Sequence, residues 1–239
     1  MTQALILAAG IGSRLRPLTQ DRPKALVPLA GAPIVAHALD SLVEAGVKRV
    51  IVVTGHCREA LESWLAGRGD LDVDTVDNPA YATTNTLASL AAAAHLIDDD
   101  FLLLDGDLAF EPAIVSRLLL GPGTRVAVDP APELDDDGMK VAVEGDRIIA
   151  VGRELPAGFT PIGESIGMAK IDLEVGERLF VAARRLLDAG GAALRYESAF
   201  DRLIAEGEVF EMADVTGLKW AAIDDHLDLE RAAGFFTVR

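Results

Sequence analysis

The 239-residue chain carries 22 basic and 38 acidic residues, a formal net charge of −16, on a composition that is 50% hydrophobic. A balance this acidic repels nucleic-acid backbones and anionic membrane surfaces, so neither is an expected partner. The length supports a sizeable core, and no apolar stretch approaches the roughly 18 residues of a membrane span. No secretory signal is read at the N-terminus. The single cysteine, Cys57, precludes an internal disulfide and fits a reducing cytoplasm, where it reads as a small buried hydrophobe. Four scattered histidines, His37, His56, His95 and His226, lack zinc-ligand spacing.

Residues 4–7 read as a buried strand, followed at once by Ala8-Ala9-Gly10-Ile11-Gly12-Ser13. Small residues and glycines let backbone N–H groups approach an anion closely. Arg14, Arg16, Arg22 and Lys24 add positive charge, so residues 1–24, with Asp21 the one acid, carry +3 while the remainder carries −19. A small polyanion is therefore expected at this basic focus. Residues 33–45 show one apolar helical face, with Pro33 at the start and Gly46 at the stop. Strands are expected at 50–53 and 71–76, a helix at 59–66, and an alanine-rich helix at 85–96. Residues 101–104 form the next buried strand, ending at Asp105-Gly106-Asp107. This alternation predicts a doubly wound, Rossmann-like and mostly parallel α/β sheet.

The second half changes character. Residues 140–143 and 147–151 flank Gly145-Asp146 as a hairpin. Further expectations are a strand at 165–171, helices at 174–187 and 196–205, a strand at 220–223 leading into Asp224, and a closing helix at 227–233. Residues 130–138, rich in Pro and Asp, are the expected mobile loop. With no repeat and no linker, the chain reads as one domain, residues 1–128 a nucleotide-binding core and residues 129–239 a small acceptor-binding half.

Ligands of open α/β sheets sit beyond the carboxyl ends of the strands. The glycine loop, Asp107 and Asp224 all fall at such ends, which suits Mg²⁺ held by one or two carboxylates against phosphates. Each Asp alone also suits a turn or a helix cap. A dinucleotide fingerprint would need a third glycine where Leu15 stands, and a Walker A loop would need Gly-Lys-Ser/Thr.

The run Leu7-Ala8-Ala9-Gly10-x-Gly12-Ser13-Arg14-Leu15-x-Pro17-Leu18-Thr19, with Pro23-Lys24 and Leu26-Val27-Pro28, resembles the signature of nucleotidyltransferases that join an NTP to a phosphorylated small molecule. The resemblance implies that Leu7, Ala8, Ala9, Gly10, Gly12 and Ser13 wrap the nucleotide. It implies that Arg14 and Lys24 bind phosphates and that Asp107 and Asp224 hold Mg²⁺. Asn78 to Leu90, Met139-Lys140-Val141, Gly163 to Gly167 and Tyr196-Glu197 are similar to the phosphocholine cytidylyltransferase branch, which includes relatives acting on 2-aminoethylphosphonate. That similarity implies CTP as donor, with Thr84, Asn85 and Ser89 near the base; Thr84 or Asn85 would equally cap the helix that follows. Lys140, Glu164 and Glu197 are the expected acceptor contacts. Tyr196, Phe159 and Trp220 are candidates for an aromatic cage about a choline cation, though each also suits the core. A primary amine favours carboxylates, because it donates hydrogen bonds. The competing functions are a sugar-1-phosphate nucleotidyltransferase and a non-catalytic nucleotide-sensing subunit. The oligomeric state is open, a homodimer included.

Overall fold

The computed structural model describes residues 3–130 and 138–236. Strand β1 (Gln3–Leu7) leads through the glycine loop to two 3₁₀ turns, Ser13–Leu15 and Lys24–Leu26. A small ribbon, β2 (Pro28–Leu29) with β3 (Ala32–Pro33), precedes α1 (Ile34–Glu44). Next come β4 (Arg49–Thr54), α2 (Arg58–Leu65), β5 (Asp72–Asp77), α3 (Thr86–Ala93), β6 (Phe101–Asp105), β7 (Leu108–Phe110), α4 (Ala113–Leu119) and β8 (Thr124–Asp129). The second half contains β9 (Met139–Glu144), β10 (Arg147–Gly152), β11 (Gly163–Ile171), α5 (Leu173–Asp188), α6 (Glu197–Ala205), β12 (Phe210–Asp214), β13 (Trp220–Ala222) and α7 (His226–Ala233).

One nine-stranded sheet, in the order β5-β4-β1-β6-β11-β8-β12-β10-β9, runs through both halves. β1 lies parallel between β4 and β6, with Ala4 opposite Val50 and Leu102. Every β1 residue is buried, which is why residues 4–7 are apolar without alternation. The alternation appears instead in which face each side chain covers. Leu5, Ile51, Val53 and Leu103 pack with Leu87 and Leu90 of α3 and Leu179 of α5. Ile6, Val50, Val52 and Leu104 pack with Leu39 of α1, Leu61 of α2 and Ile114 of α4. Helices on both faces of a central parallel set make the expected doubly wound arrangement.

The sheet is mixed rather than mostly parallel. β11 runs antiparallel to β6, β8 and β9, and β10 is antiparallel to β9 and β12. Its pairing with β8 slips between Ser165 and Ala169, where Gly167 takes φ +82°. Such a bulge re-aims the side chains of one strand end, and here it turns Ser165 to Gly167 toward the site. The loop expected at 130–138 falls mostly on residues 131–137, which lie outside the described residues. No helix among the described residues is long and apolar enough to cross a membrane.

A third apolar cluster positions the site. Leu15, Val27, Leu29 and Ile34 pack against Ala109, Ile223 and Ala232, tying the segment after the glycine loop to β7 and α7.

Candidate active site

The short β7–β13 ribbon brings two distant carboxylates together. Ala222 pairs with Leu108, and the Ile223 N–H donates to the Asp107 carbonyl at 3.1 Å. Asp107, just before β7, and Asp224, just after Ile223, thus share one edge although 117 positions separate them. Lys24 fills the space between: its Nζ donates to Asp107 Oδ2 and, at 2.7 Å, to Asp224 Oδ1. Arg14 Nη2 lies 3.1 Å from the same Asp224 oxygen. Burial disfavours the Lys24 ammonium, but Asp107 and Asp224 outweigh it and hold its pKa above the ordinary lysine value. Burial likewise opposes the Asp224 carboxylate, and Lys24 and Arg14 nonetheless keep its pKa below the usual range.

Beside this cluster the glycine loop offers backbone donors. Among the described residues, no acceptor bonds the N–H groups of Gly10, Ile11 or Gly12. Gly12 takes φ +63°, and a Cβ there would stand 3.0 Å from Lys24 Cβ. Only glycine meets both demands cheaply. The Gly12 carbonyl accepts from Thr19 Oγ1 at 2.8 Å and from Leu15 N–H at 3.0 Å, which fixes the loop's exit.

The cleft above these groups measures about 720 Å³, within the range of small-molecule sites. Leu7, Ala8, Gly10, Gly12, Ser13, Arg14, Lys24, Asn85, Asp107, Glu164, Glu197 and Asp224 line it as expected. Four expected residues do not line it. Ala9 is buried under the loop, its carbonyl accepting from His56 N–H. Thr84 turns back to the Ala80 carbonyl at 2.9 Å, and buried Ser89 accepts from Asn78 Nδ2 at 3.1 Å. Asn78 thus organises the loop from within. Lys140 reaches across the hairpin to the Arg153 carbonyl at 3.0 Å, away from the acceptor side. Of the aromatic side chains among the described residues, Trp220 and Phe235 line the cleft. Trp220 lines the cleft with its indole N–H on Asp129, whereas Tyr196 is buried in the core and Phe159 lies outside the cleft.

Asn85 does cap α3, its Oδ1 accepting from Thr86 N–H at 2.8 Å. It also does more. Asn85 N–H donates to the Ala192 carbonyl, its Nδ2 to Ala193, and Thr86 Oγ1 accepts from Tyr196 N–H at 3.1 Å. The N-terminus of α3 therefore clamps the segment that presents Arg195 and Glu197.

Asp105, Thr86, Arg195 and Arg231 also line the cleft, and none was singled out from the sequence. Asp105 had a visible signal, an acid at the strand end two positions before Asp107. Glu197 is 2% exposed, and its Oε2 and Asp105 Oδ1 are buried without a hydrogen-bond partner among the described residues. Burial, then Glu197 and Asp107, push the Asp105 carboxyl well above the usual range. Burial also raises Glu197, offset partly by Arg195 and the Tyr196 hydroxyl.

A group whose pKa is raised by folding adds stability that is lost as pH climbs through the folded value. Glu197→Gln cannot ionise, so its melting temperature should match wild type near about pH 4. At about pH 8 it should exceed wild type by about 2–4 °C, the effect of roughly 1 kcal/mol in a chain this long. Thermal melts across that range check the sign.

A family model described as the MobA-like NTP transferase domain matches residues 4–189. The chain belongs to the MobA-like NTP transferase family. A CMP-5′-(3-aminopropyl)phosphonate synthase of Streptomyces rubellomurinus is 35% identical over 239 aligned residues, covering 96% of this chain and 38% of that protein. A bifunctional IPC transferase and DIPP synthase of Rubrobacter xylanophilus is 31% identical, covering 95% and 50%. The chain thus spans half or less of these relatives' length. The CTP:phosphocholine cytidylyltransferase of Streptococcus pneumoniae has the same fold, with a TM-score of 0.80, 20% identity and 98% of each chain covered.

The donor set of this NTP transferase suits a hard divalent ion that relies on substrate for most of its shell. No group of three or more His, Cys, Asp and Glu is gathered for a metal among the described residues. Two carboxylates converge on one point, however, and the Lys24 ammonium shows that a cation is accommodated there. Mg²⁺ asks for no more than that, completing its coordination with water and phosphate.

Proposed function

We propose that this NTP transferase is an Mg²⁺-dependent cytidylyltransferase, joining CTP to a small phosphorylated alcohol or phosphonate and releasing pyrophosphate. The observation that carries this reading is the adjacency of unpartnered loop N–H groups, Lys24 and Arg14 to the Asp107–Asp224 pair. Cations and donors on one side of the pair suit a triphosphate; the carboxylates suit Mg²⁺ bound against it. The printed names of the relatives above, a CMP-phosphonate synthase and a CTP-using enzyme, support cytidine as the base and a phosphonate or phosphoalcohol as acceptor.

The acceptor's phosphate or phosphonate oxygen attacks the α-phosphorus of CTP, the bond to the bridging oxygen breaks, and pyrophosphate leaves. A phosphate monoester has a second pKa of roughly 6, so its nucleophilic oxygen is already ionised near neutrality. No general base is required. The barrier is the approach of two anions, lowered by charge neutralisation and orientation. Asp107 and Asp224 would hold Mg²⁺, which when bound neutralises phosphate charge. Lys24 stabilises charge growing at the α-phosphate, Arg14 holds the departing pyrophosphate, and the loop N–H groups orient the nucleotide.

Pyrophosphate release should be fastest with CTP when the four NTPs are compared with phosphocholine, 2-aminoethylphosphonate, inositol 1-phosphate and glucose 1-phosphate as acceptors. Faster release with another NTP and glucose 1-phosphate would replace this reading by that of a sugar-1-phosphate nucleotidyltransferase.

A further inference from the structure

We propose that Asp105, Glu197 and Arg195 form a subsite for a zwitterionic acceptor, the two carboxylates taking a primary ammonium and the guanidinium taking the phosphonate. The proposal rests on the cytidylyltransferase reading and narrows its acceptor class. All three side chains line the cleft. Glu197 is almost wholly buried, and one oxygen each of Glu197 and Asp105 lacks any hydrogen-bond partner among the described residues. Buried polar atoms are seldom left without a partner, and exceptions at a cleft wall mark where a ligand supplies it. Two unpartnered carboxyl oxygens call for a cation that donates hydrogen bonds and offsets the burial and mutual repulsion that otherwise disfavour their charge.

A primary ammonium has N–H donors to give, whereas a trimethylammonium has none and asks for aromatic faces instead. The aromatic side chains on the described cleft wall are Trp220 and Phe235. Asp105 has room because Gly167 faces it: a Cβ there would stand 2.6 Å from Asp105 Oδ2. Arg195 lines the same cleft as Asp105, Glu197 and Asp224 and acts electrostatically on all three, so one small acceptor can meet the guanidinium through its phosphonate and the carboxylates through its amine.

The subsite is built before any ligand arrives. Residues 192–196 are pinned to α3 by the Asn85 and Thr86 bonds described above. This gives Asn85 a role distinct from base recognition: it positions the acceptor wall.

Calorimetric titration of the whole chain without nucleotide, using 2-aminoethylphosphonate and its amine-free isostere n-propylphosphonate, tests the proposal. The amine should bind at least about 30-fold more tightly, since a hydrogen-bonded charge is lost in the isostere. Glu197→Gln should bring the two within about threefold, and Arg195→Gln should weaken both alike. Equal affinities in wild type, or an undiminished preference in Glu197→Gln, would overturn the subsite. CTP-dependent pyrophosphate release with inositol 1-phosphate or phosphocholine, alongside no amine preference, would overturn it while leaving cytidylyl transfer standing. An amine preference without CTP turnover would instead uphold the subsite and remove the reaction assigned to it.

Discussion

Asp107→Asn should lower turnover about a thousandfold or more, the scale on which a charge-stabilising group at a reacting phosphate acts. The side chain keeps its shape, so the β7–β13 ribbon and the Ile223 bond to the Asp107 carbonyl remain. What is lost is one of the two negative charges that face Lys24. In the proposed reaction those charges hold Mg²⁺ against the phosphates, and one carboxylate is a poor substitute for two. Melting temperature should stay within about 2–4 °C of wild type, because the ion pair lost is partly exposed and Lys24 keeps Asp224 as its partner. The check is single-turnover kinetics beside a thermal melt. A folded Asp107→Asn protein with near-normal kcat would remove Asp107 from the reaction.

Lys24→Ala should act on stability and turnover together. Its side chain is 12% exposed between carboxylates that are 24% and 38% exposed. Removing it takes the ammonium from both carboxylates and leaves Asp224 with Arg14. Breaking a fully buried pair costs about 3–5 kcal/mol, and the partial exposure of Asp107 and Asp224 brings this to about 1–3 kcal/mol. A melting temperature lower by roughly 3–8 °C in chelator is expected. Millimolar Mg²⁺ should restore most of that loss, and should raise wild type less, because in wild type the ammonium already balances the carboxylates. Turnover should fall about a hundredfold or more even with Mg²⁺, since the ammonium assigned to the charge growing at the α-phosphate is gone. An Mg²⁺ response equal in the two proteins would contradict a shared cation position.

The glycine loop, Lys24, Asp107 and Asp224 are legible in sequence for a local reason. An apolar run that stops at glycines or at an acid marks a strand end, and strand ends of an α/β sheet face the ligand. The sequence does not show how β7 and β13 pair, so the meeting of Asp107 with Asp224 is inferred rather than read. The strand at Thr124–Asp129 and that at Phe210–Asp214 go unassigned, because runs of six and five residues carry little periodic signal. Missing them also hides the mixed half of the sheet, where β11 reverses direction beside β6.

The acceptor wall shows the limits most clearly. Lys140 is a plausible phosphate ligand by residue type, yet tertiary packing sends it to the Arg153 carbonyl. Thr84 and Ser89 are consumed by the loop's own hydrogen bonds. Arg195 and Asp105 matter because of what surrounds them: α3 clamps the first, and Gly167 opens space beside the second. Neither fact is local in sequence. In the proposed reaction the donor groups sit on short motifs, while the proposed acceptor wall draws on four separate elements.

Initial rates of pyrophosphate release, with each of the four NTPs in turn, Mg²⁺, and 2-aminoethylphosphonate as acceptor, test the central claim most directly. The account predicts release with CTP that depends on both Mg²⁺ and the acceptor, at least about tenfold faster than with any other NTP. No release with CTP under any acceptor of the panel, or equal release without an acceptor, would contradict it.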